Sequence, residues 1–538
     1  MFVENIILGA GPSSLQLAYY FMKNNISYII VEKENSCASF FKKYPHSKKL
    51  ISLNKKYTGR NDIDFNLRHD WNSLLNDENF LFTEYTDELY PNSEFLYNYL
   101  NDFSKKFHLN IKFNTKIIQI DKENDKYIFK LDNDEIISCN KLIIGTGNSK
   151  PNYPKMVENI NKDEKIIKHY ADFPNNYFLD KETIEKYKNK KVLIIGGGNS
   201  AYELANLLQN YCSNIIILGT KKKLSIVSHY VGDIRSVYLP FLDTFYLKSL
   251  NGIDSGTKEH LEETEIIKNE TTQLYRLIKN QRNYYEGNSD IEEFDEIILC
   301  SGWKFDDSIF NFNIKMSNNN KYPELDYKYE SINNKNLFFI GSLMHSKDFK
   351  KGSGGFIHGF RYLIKLFAQM EYKIPLSIKK IQFTGNMECY NKLTEHIYNR
   401  INNSSSLYQL YGTMCDLFYF DKNDNENIIY IEDIKLDYIE HLKLENKENL
   451  NVLMLEYGEE VTEINKLGGF DKFNPNFLHP RIYIFNKKMH EKLLINGKIN
   501  NQILIDRIIF EEDLTANFRN KRYIDKINRV LKTCNLII

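Results

Sequence analysis

The sequence predicts an α/β chain, and three observations carry that reading. A largely apolar strand running into a glycine-rich turn and then a helix occurs at the N-terminus and again from residue 191. Each copy is echoed later by an apolar strand that ends in glycine, at residues 141–147 and 296–303. The last part of the chain, residues 376–538, has few glycines and a mixed α+β pattern.

In the first copy Val3 to Leu8 is the strand and Gly9-Ala10-Gly11-Pro12-Ser13-Ser14 is the turn. A helical stretch follows, then a second strand from Tyr28 to Val31 that ends in Glu32. Gly9 permits the tight turn and Gly11 lets the backbone approach a pyrophosphate. The helix N-terminus behind them offers free N–H groups and the positive end of its dipole. Glu32 falls where a carboxylate binds ribose hydroxyls. This is the dinucleotide-binding βαβ unit. Its third small position is Ser14, where Gly or Ala is usual, so helix and strand are expected to pack under strain.

Composition narrows the function classes. At 538 residues the chain has room for about three domains, and 42% hydrophobic residues suffice for sizeable cores. Lys+Arg and Asp+Glu both number 71, a balance that argues against electrostatic binding of nucleic acid. No run reaches the ~18 apolar residues of a membrane span. The N-terminus has no leader and the C-terminal Asn-Leu-Ile-Ile is no retention tail, so a cytoplasmic location is expected. The seven cysteines are scattered without a CxxC, so reduced thiols are expected in place of a zinc ribbon or a dithiol centre.

Residues 50–75 are polar, aromatic and without regular periodicity. Such a long excursion is usually functional. Asn54, Arg60, His69 and Asp70 are its candidates to face a bound ring system, and a solvated loop is the alternative. A helix is expected from Tyr90-Pro91 to Phe103, then strands at 111–113 and 116–120, a hairpin at 127–137, and the apolar strand KLIIGTG at 141–147.

In the second unit, KVLIIGGGNSAYELANLL from Lys191, Gly196-Gly197-Gly198-Asn199-Ser200-Ala201 matches GxGxxA after a clear strand. The next strand, Asn214 to Leu218, ends in Gly219-Thr220-Lys221-Lys222-Lys223. No acid stands where a ribose carboxylate would, and three lysines crowd that end. A 2′-phosphate needs positive charge there, so NADPH is expected over NADH. Later, EIILCSGW, NLFFIGS and the glycine-rich KKGSGGFIHGFRY suggest that the first domain resumes. The expected division is 1–160 and 291–375 for the first domain, 161–290 for the NADPH domain inserted in it, and 376–538 for an added C-terminal domain.

The two glycine units and the GTG strand resemble flavoproteins that bind two dinucleotides, including flavin-containing monooxygenases. GAGPSSLQLAYY, KLISLNKKYTG, FNLRHDWNSLL, HYVGD, LDTFYLKSLNG and GGFIHGFRY resemble one subfamily, the type 2 FAD-dependent oxidoreductase domain-containing proteins. SLYQLYG, LEYG, NFLHPRIY and EEDLT extend the likeness to the C-terminal half. The resemblance implies FAD at Gly9, Gly11, Ser14 and Glu32, with Thr146, Gly147, Gly341 and Ser342 near it. It implies NADPH at Gly196, Gly198, Asn199, Ser200 and Ala201; the lysines after Leu218 put Lys221 and Lys222 at its 2′-phosphate. Asn54 falls where monooxygenase-like relatives place an asparagine beside the flavin. HYADF at 169–173 resembles only the end of the monooxygenase signature, since its leading Phe and Gly are not in place. Gly341-Ser342 stands where many flavoproteins have Gly-Asp.

The expected function is hydride transfer from NADPH to flavin, then electron transfer to a small-molecule or protein acceptor. Oxygenation of a small nucleophilic substrate is the first alternative, and a nucleotide-binding scaffold without turnover is the second. No metal cluster is visible, and residues 376–538 are expected to pack or to form a homodimer contact, with a partner-binding platform as the alternative.

Overall fold

The computed structural model describes residues 1–154, 157, 167–219, 224, 230–247, 253–254, 264–268, 275–279, 293–317, 320–382, 387–420, 427–442, 444, 450–458, 478–485, 493–495, 498–502, 504–509 and 521–533. In chain order, the first unit comprises β1 (Phe2–Leu8), α1 (Pro12–Lys23), β2 (Ile29–Val31), α2 (Ser93–Lys106), β3 (Ile111–Lys112), β4 (Ile117–Glu123), β5 (Lys126–Leu131) and β6 (Ile136–Ile144). The second comprises β7 (Ile167–His169), β8 (Lys191–Ile195), α3 (Asn199–Leu208), β9 (Asn214–Leu218), β10 (Ile253–Asp254) and β11 (Glu296–Leu299). β12 (Asn334–Phe339) and α4 (Ile357–Tyr372) return the chain to the first sheet.

Two parallel sheets result, with the same internal order. The first runs β12-β6-β1-β2-β3 and the second β7-β11-β8-β9-β10. In each, the strand before the glycine turn is central, which explains its apolar character. Ile6, Ile7, Val192, Leu193 and Ile194 are fully buried, as strands covered on both faces must be. The antiparallel pair β4 and β5 hangs from β6.

Two sequence expectations change here. The second arm of the 127–137 hairpin and the KLII strand are one strand, β6, whose middle residues Ser138 and Asn140 hide its continuity. The boundary expected at residue 290 falls later, because β11 pairs with β8 and so belongs to the second sheet.

The C-terminal region forms β13 (Ser377–Gln382), α5 (Met387–Asn403), β14 (Met414–Phe420), β15 (Asn427–Lys435), β16 (Leu450–Tyr457), β17 (Leu478–Phe485), β18 (Leu504–Ile509) and α6 (Lys521–Thr533). Its six strands make one antiparallel sheet ordered β13-β15-β14-β16-β17-β18. Leu393, Ile397, Phe418, Leu453 and Ile482 pack into the same core as β1 and α4. The region is thus seated on the first unit. No described helix is long and apolar enough to cross a membrane.

The polar excursion at 50–75 is pinned from both sides. Arg361, fully buried on α4, donates to the carbonyls of Asp70 (3.0 Å), Ser73 (2.8 Å) and Leu67 (2.7 Å). Arg68 donates to the carbonyls of Ile401 (2.7 Å) and Ser404 (3.0 Å) in the C-terminal region. Asp70 accepts from the Asn72 and Ser73 N–H groups, and the Arg60 guanidinium lies 3.6 Å from the Phe65 ring centre. These polar side chains therefore build the loop.

Candidate functional site

At the carboxyl ends of β1, β6 and β12 three loops converge. Gly9 donates to the Val31 carbonyl (2.8 Å), Gly145 to Leu8 (2.9 Å) and Ile340 to Ile144 (2.9 Å). Side chains on these glycines would collide with the neighbouring loops. A Cβ on Gly145 would stand 2.1 Å from Ser14 Oγ, one on Gly341 2.6 Å from Ser13 Oγ, and one on Gly147 2.9 Å from Ser342 Oγ. A Cβ on Gly9, whose φ is +89°, would stand 3.3 Å from Thr146 Cγ2. Gly9, Gly11, Ser14, Thr146, Gly147, Gly341 and Ser342 thus come together in one cradle. The missing side chain of Gly145 removes the packing strain expected at Ser14.

The cradle suits an anionic dinucleotide. Gly11 is the N-cap of α1 with Pro12 following, and no side chain caps the helix, so its first N–H groups stay available to phosphate. Ser14 Oγ is buried without a partner. Glu32, 8% exposed, accepts from the N–H groups of Ala10 (2.6 Å) and Glu34 (2.9 Å). Each carboxylate oxygen keeps a second lone pair for a ribose hydroxyl.

The second sheet repeats two of these bonds. Gly196 donates to Leu218 (2.7 Å) as Gly9 does to Val31, and Cys300 to Ile195 (2.7 Å) as Gly145 does to Leu8. A Cβ on Gly196 would stand 2.3 Å from the Cys300 carbonyl oxygen. By this register Gly219 occupies the position of Glu32. A Cβ there would lie 2.3 Å from Gly197 N, so no carboxylate can stand at that position without moving the turn. Gly198 is the N-cap of α3, again without a side-chain cap, Ser200 sits in its first turn, and Ala201 is buried against the sheet. The Asn199 side chain accepts from Arg235 N (2.9 Å) and donates to the Asp233 carbonyl (3.0 Å), so it anchors the 232–235 loop at this turn. Lys221 and Lys222 lie outside the described residues.

Other buried groups were passed over by sequence reasoning. Trp71 stacks on His358 (4.2 Å between ring centres) in the first turn of α4, and Arg235 lies 5.0 Å from the Trp71 ring. His358 is buried with Nε2 unpartnered; burial, with the Arg361 and Arg235 cations, holds its pKa far below the ordinary histidine value. Tyr230 hydrogen-bonds His345, which hydrogen-bonds Asp348. The HYVGD and KKGSGGF blocks were the signal for that chain, but spacing alone could not pair them. Asn54 is 1% exposed; its amide donates to the Thr86 (2.9 Å) and Glu88 (3.1 Å) carbonyls, and its Oδ1 has no partner.

His169, the first residue of HYADF, caps the turn after β7. Its Nδ1 accepts from Ala171 N (3.0 Å) while Asp172 accepts from its own N–H (2.8 Å), a reciprocal cap that turns the chain after β7. The next residue, Tyr170, joins the two units: its hydroxyl donates to Glu203 (2.8 Å) and its carbonyl meets His46 Nε2 at 2.9 Å. Burial depresses the His46 imidazole to about 4. This lies below the ~6.5 of an unfolded histidine, so the neutral form is favoured by folding. The stability it contributes is complete above pH ~6.5 and is lost as pH falls toward 4, by about 2 kcal/mol between pH 7 and pH 5. His46→Gln should flatten that part of the pH dependence of thermal melting; an unchanged slope would show that another group is responsible.

Among the described cysteines, none is disulfide-bonded. Burial pushes Cys37 up to about 11 and Cys212 up to about 12, and raises Cys139, Cys300 and Cys415 as well. Described residues contain no group of side chains able to hold a metal ion.

Parallel sheets with glycine cradles at their carboxyl ends define a protein of the Rossmann-type, dinucleotide-binding class. The chain belongs to the pyridine nucleotide-disulphide oxidoreductase family, whose pattern it matches over residues 6–341. It is 31% identical over 526 residues to FAD-dependent oxidoreductase domain-containing protein 2 of Mus musculus, covering 89% of this chain and 75% of that protein. Its fold is similar to those of two solved structures, each with a TM-score of 0.51. The bacillithiol disulfide reductase Bdr of Staphylococcus aureus (20% identity) covers 70% of this chain with 100% of its own. A flavin-containing monooxygenase of Stenotrophomonas maltophilia (16% identity) covers 69% of this chain with 99% of its own.

Proposed function

We propose that the chain binds FAD in the first cradle and NADPH in the second, and that it passes the electrons of NADPH through the flavin to a small-molecule or protein acceptor. One observation carries this reading: the two cradles share their hydrogen-bond register, yet the residue after the second strand is Glu32 in the first and Gly219 in the second. A carboxylate serves a ribose hydroxyl; its exclusion leaves room for a 2′-phosphate. Gly9, Gly11, Thr146, Gly147, Gly341 and Ser342 would hold FAD, with Glu32 on its ribose. Gly196, Gly198, Ser200 and Ala201 would hold NADPH, with Asn199 fixing the loop beside it. Bound flavin supplies the ability to accept a hydride and to release its electrons. The protein orients both cofactors and excludes water from them.

The lysine cluster gives a direct test. Replacing Lys221 and Lys222 with Ala should raise the NADPH concentration needed for half-maximal flavin reduction by roughly tenfold, about 1.4 kcal/mol for the lost phosphate contacts. The NADH requirement should not change. Equal effects on both nucleotides would reject the assignment.

Oxygenation of a nucleophilic substrate is the second reading, and the unpartnered Oδ1 of buried Asn54 favours it. A buried acceptor without a donor is costly unless a ligand supplies one. Oxygen incorporation into an organic sulfide or amine, lost in Asn54→Leu, would select this reading. Peroxide release without incorporation would select the first.

A further inference from the structure

We infer that Tyr230, His345 and Asp348 form a proton relay serving the step in which the acceptor is reduced. The inference rests on the proposed function, because it assumes that hydride equivalents arrive from NADPH.

The three side chains make a directed line. Tyr230 Oη lies 2.9 Å from His345 Nε2, and His345 Nδ1 lies 2.8 Å from Asp348 Oδ1. The other Asp348 oxygen accepts from Gly354 N at 2.8 Å. A carboxylate accepts only, so Nδ1 carries the hydrogen and Nε2 is left to accept from the tyrosine hydroxyl. An orienting acid, a histidine in a fixed tautomer and a hydroxyl make the arrangement by which proteins move protons.

The backbone is shaped around this line. A Cβ on Gly352 or Gly354 would strike the Asp348 carboxylate at 2.8 or 2.6 Å. One on Gly355 would strike the His345 ring at 2.7 Å, and one on Gly232 the Tyr230 ring at 2.6 Å. The glycines of HYVGD and KKGSGGF thus admit the relay. His345 and Asp348 are 3% and 5% exposed. Among the described groups facing Tyr230 and His345 are Tyr322, Tyr411, Asp233 and Asp348, with Phe349 and Phe356 as apolar cover.

Chain connections tie it to both cradles. Tyr230 belongs to the loop that Asn199 ties to the second cradle, and His345 follows Ser342 of the first by one turn. Phe356, packed on both rings, is the N-cap of α4.

Proton balance gives the relay its task. Hydride transfer from NADPH takes no proton from solvent. An acceptor A that gains a hydride equivalent leaves as AH2 only with one proton more. His345 first takes up a solvent proton at Nε2, and the Asp348 carboxylate balances the charge of the imidazolium; Nε2–H then donates to Oη and leaves the Tyr230 hydrogen free to turn to A. The Tyr230 O–H bond breaks as the new A–H bond forms, and the Nε2–H bond breaks as the Tyr230 O–H bond is restored, which leaves His345 neutral. With oxygen as A, O2 gains two electrons and two protons and leaves as hydrogen peroxide.

The test uses the FAD-loaded full chain, photoreduced without NADPH and mixed with oxygen, in H2O and D2O from pH 6 to 9. Tyr230→Phe and His345→Gln should slow reoxidation at least tenfold and remove its pH dependence and solvent isotope effect. A second readout needs no turnover: the His345 Nδ1–H proton resonance, shifted downfield by Asp348, should disappear in Asp348→Asn and move in Tyr230→Phe. FAD content and melting temperature report on folding. Flavin reduction by NADPH, read in the same variants, separates the roles. Losses there as large as those in reoxidation would mark a merely structural contact and overturn the relay. Unchanged reoxidation in both variants would also overturn it. Failure of NADPH to reduce the wild type would instead count against the proposed function, because photoreduction bypasses that step.

Discussion

Replacing Gly145 with Ala is expected to cost the protein most of its FAD. The new methyl group would stand 2.1 Å from Ser14 Oγ, between the first glycine turn and the loop after β6. Both segments are fixed by backbone hydrogen bonds, Gly9 to Val31 and Gly145 to Leu8, so neither yields cheaply. Overpacking of this kind costs about 1–3 kcal/mol, or roughly 5- to 150-fold in the dissociation constant if the strain falls on the bound state. The remedy is equally specific. Ser14→Ala removes the atom that the methyl strikes, and the double variant should recover FAD binding to within a few-fold of wild type. Flavin released per chain, with equilibrium titration of the apoprotein, provides the measurement. A double variant no better than Gly145→Ala would show that the two loops do not meet as described.

Arg400→Met should produce the largest loss of stability, about 3–5 kcal/mol. Arg400 reaches Asp416 with Nε (2.7 Å) and Nη2 (2.9 Å) and also donates to Asp433. Asp416 is wholly buried and takes a further hydrogen bond from Tyr430 (2.9 Å). The guanidinium holds Asp433 below the usual carboxylate range, while burial raises Asp416 in spite of it. Without the cation, burial alone acts on both carboxyls and lifts them above their unfolded value of ~4. A raised carboxylate contributes stability below its unfolded pKa and loses it as pH rises. Depressed Asp433 in the wild type behaves oppositely, stabilising above pH ~4 and failing below it. The gap between wild type and variant should therefore be small near pH 4 and widen toward pH 7. Urea unfolding at several pH values would reveal this; a gap independent of pH would contradict it.

Much of the cradle was legible in the sequence because it depends on local geometry. A glycine after a buried strand, a helix starting two residues later and an acid after the next strand occupy fixed places in a βαβ unit. Gly9, Gly11 and Glu32 could therefore be named before any coordinate was known, as could Gly196, Gly198 and Ala201. The later strands were recognisable too, since KLIIGTG and NLFFIGS are apolar runs with glycine ends. What spacing could not reveal was pairing. Glu296–Leu299 is visibly a strand, but only its hydrogen bonds to β8 place it in the second sheet. Ser14 looked strained because its partner, Gly145, lies far along the chain. Arg361 looked like an ordinary helix residue, although three carbonyls of the 67–73 segment depend on it. The Tyr230–His345 contact joins segments separated by 115 residues, so the spacing within either motif could not pair them.

On the proposed function, the two cradles hold different cofactors because Glu32 stands in one and Gly219 in the other. Anaerobic stopped-flow reduction of the FAD-loaded protein tests it most directly. Flavin absorbance should bleach on mixing with NADPH, with NADH slower by at least tenfold at equal subsaturating concentration. Bleaching by NADH at the same or a greater rate, or no bleaching by either nucleotide, would contradict the account.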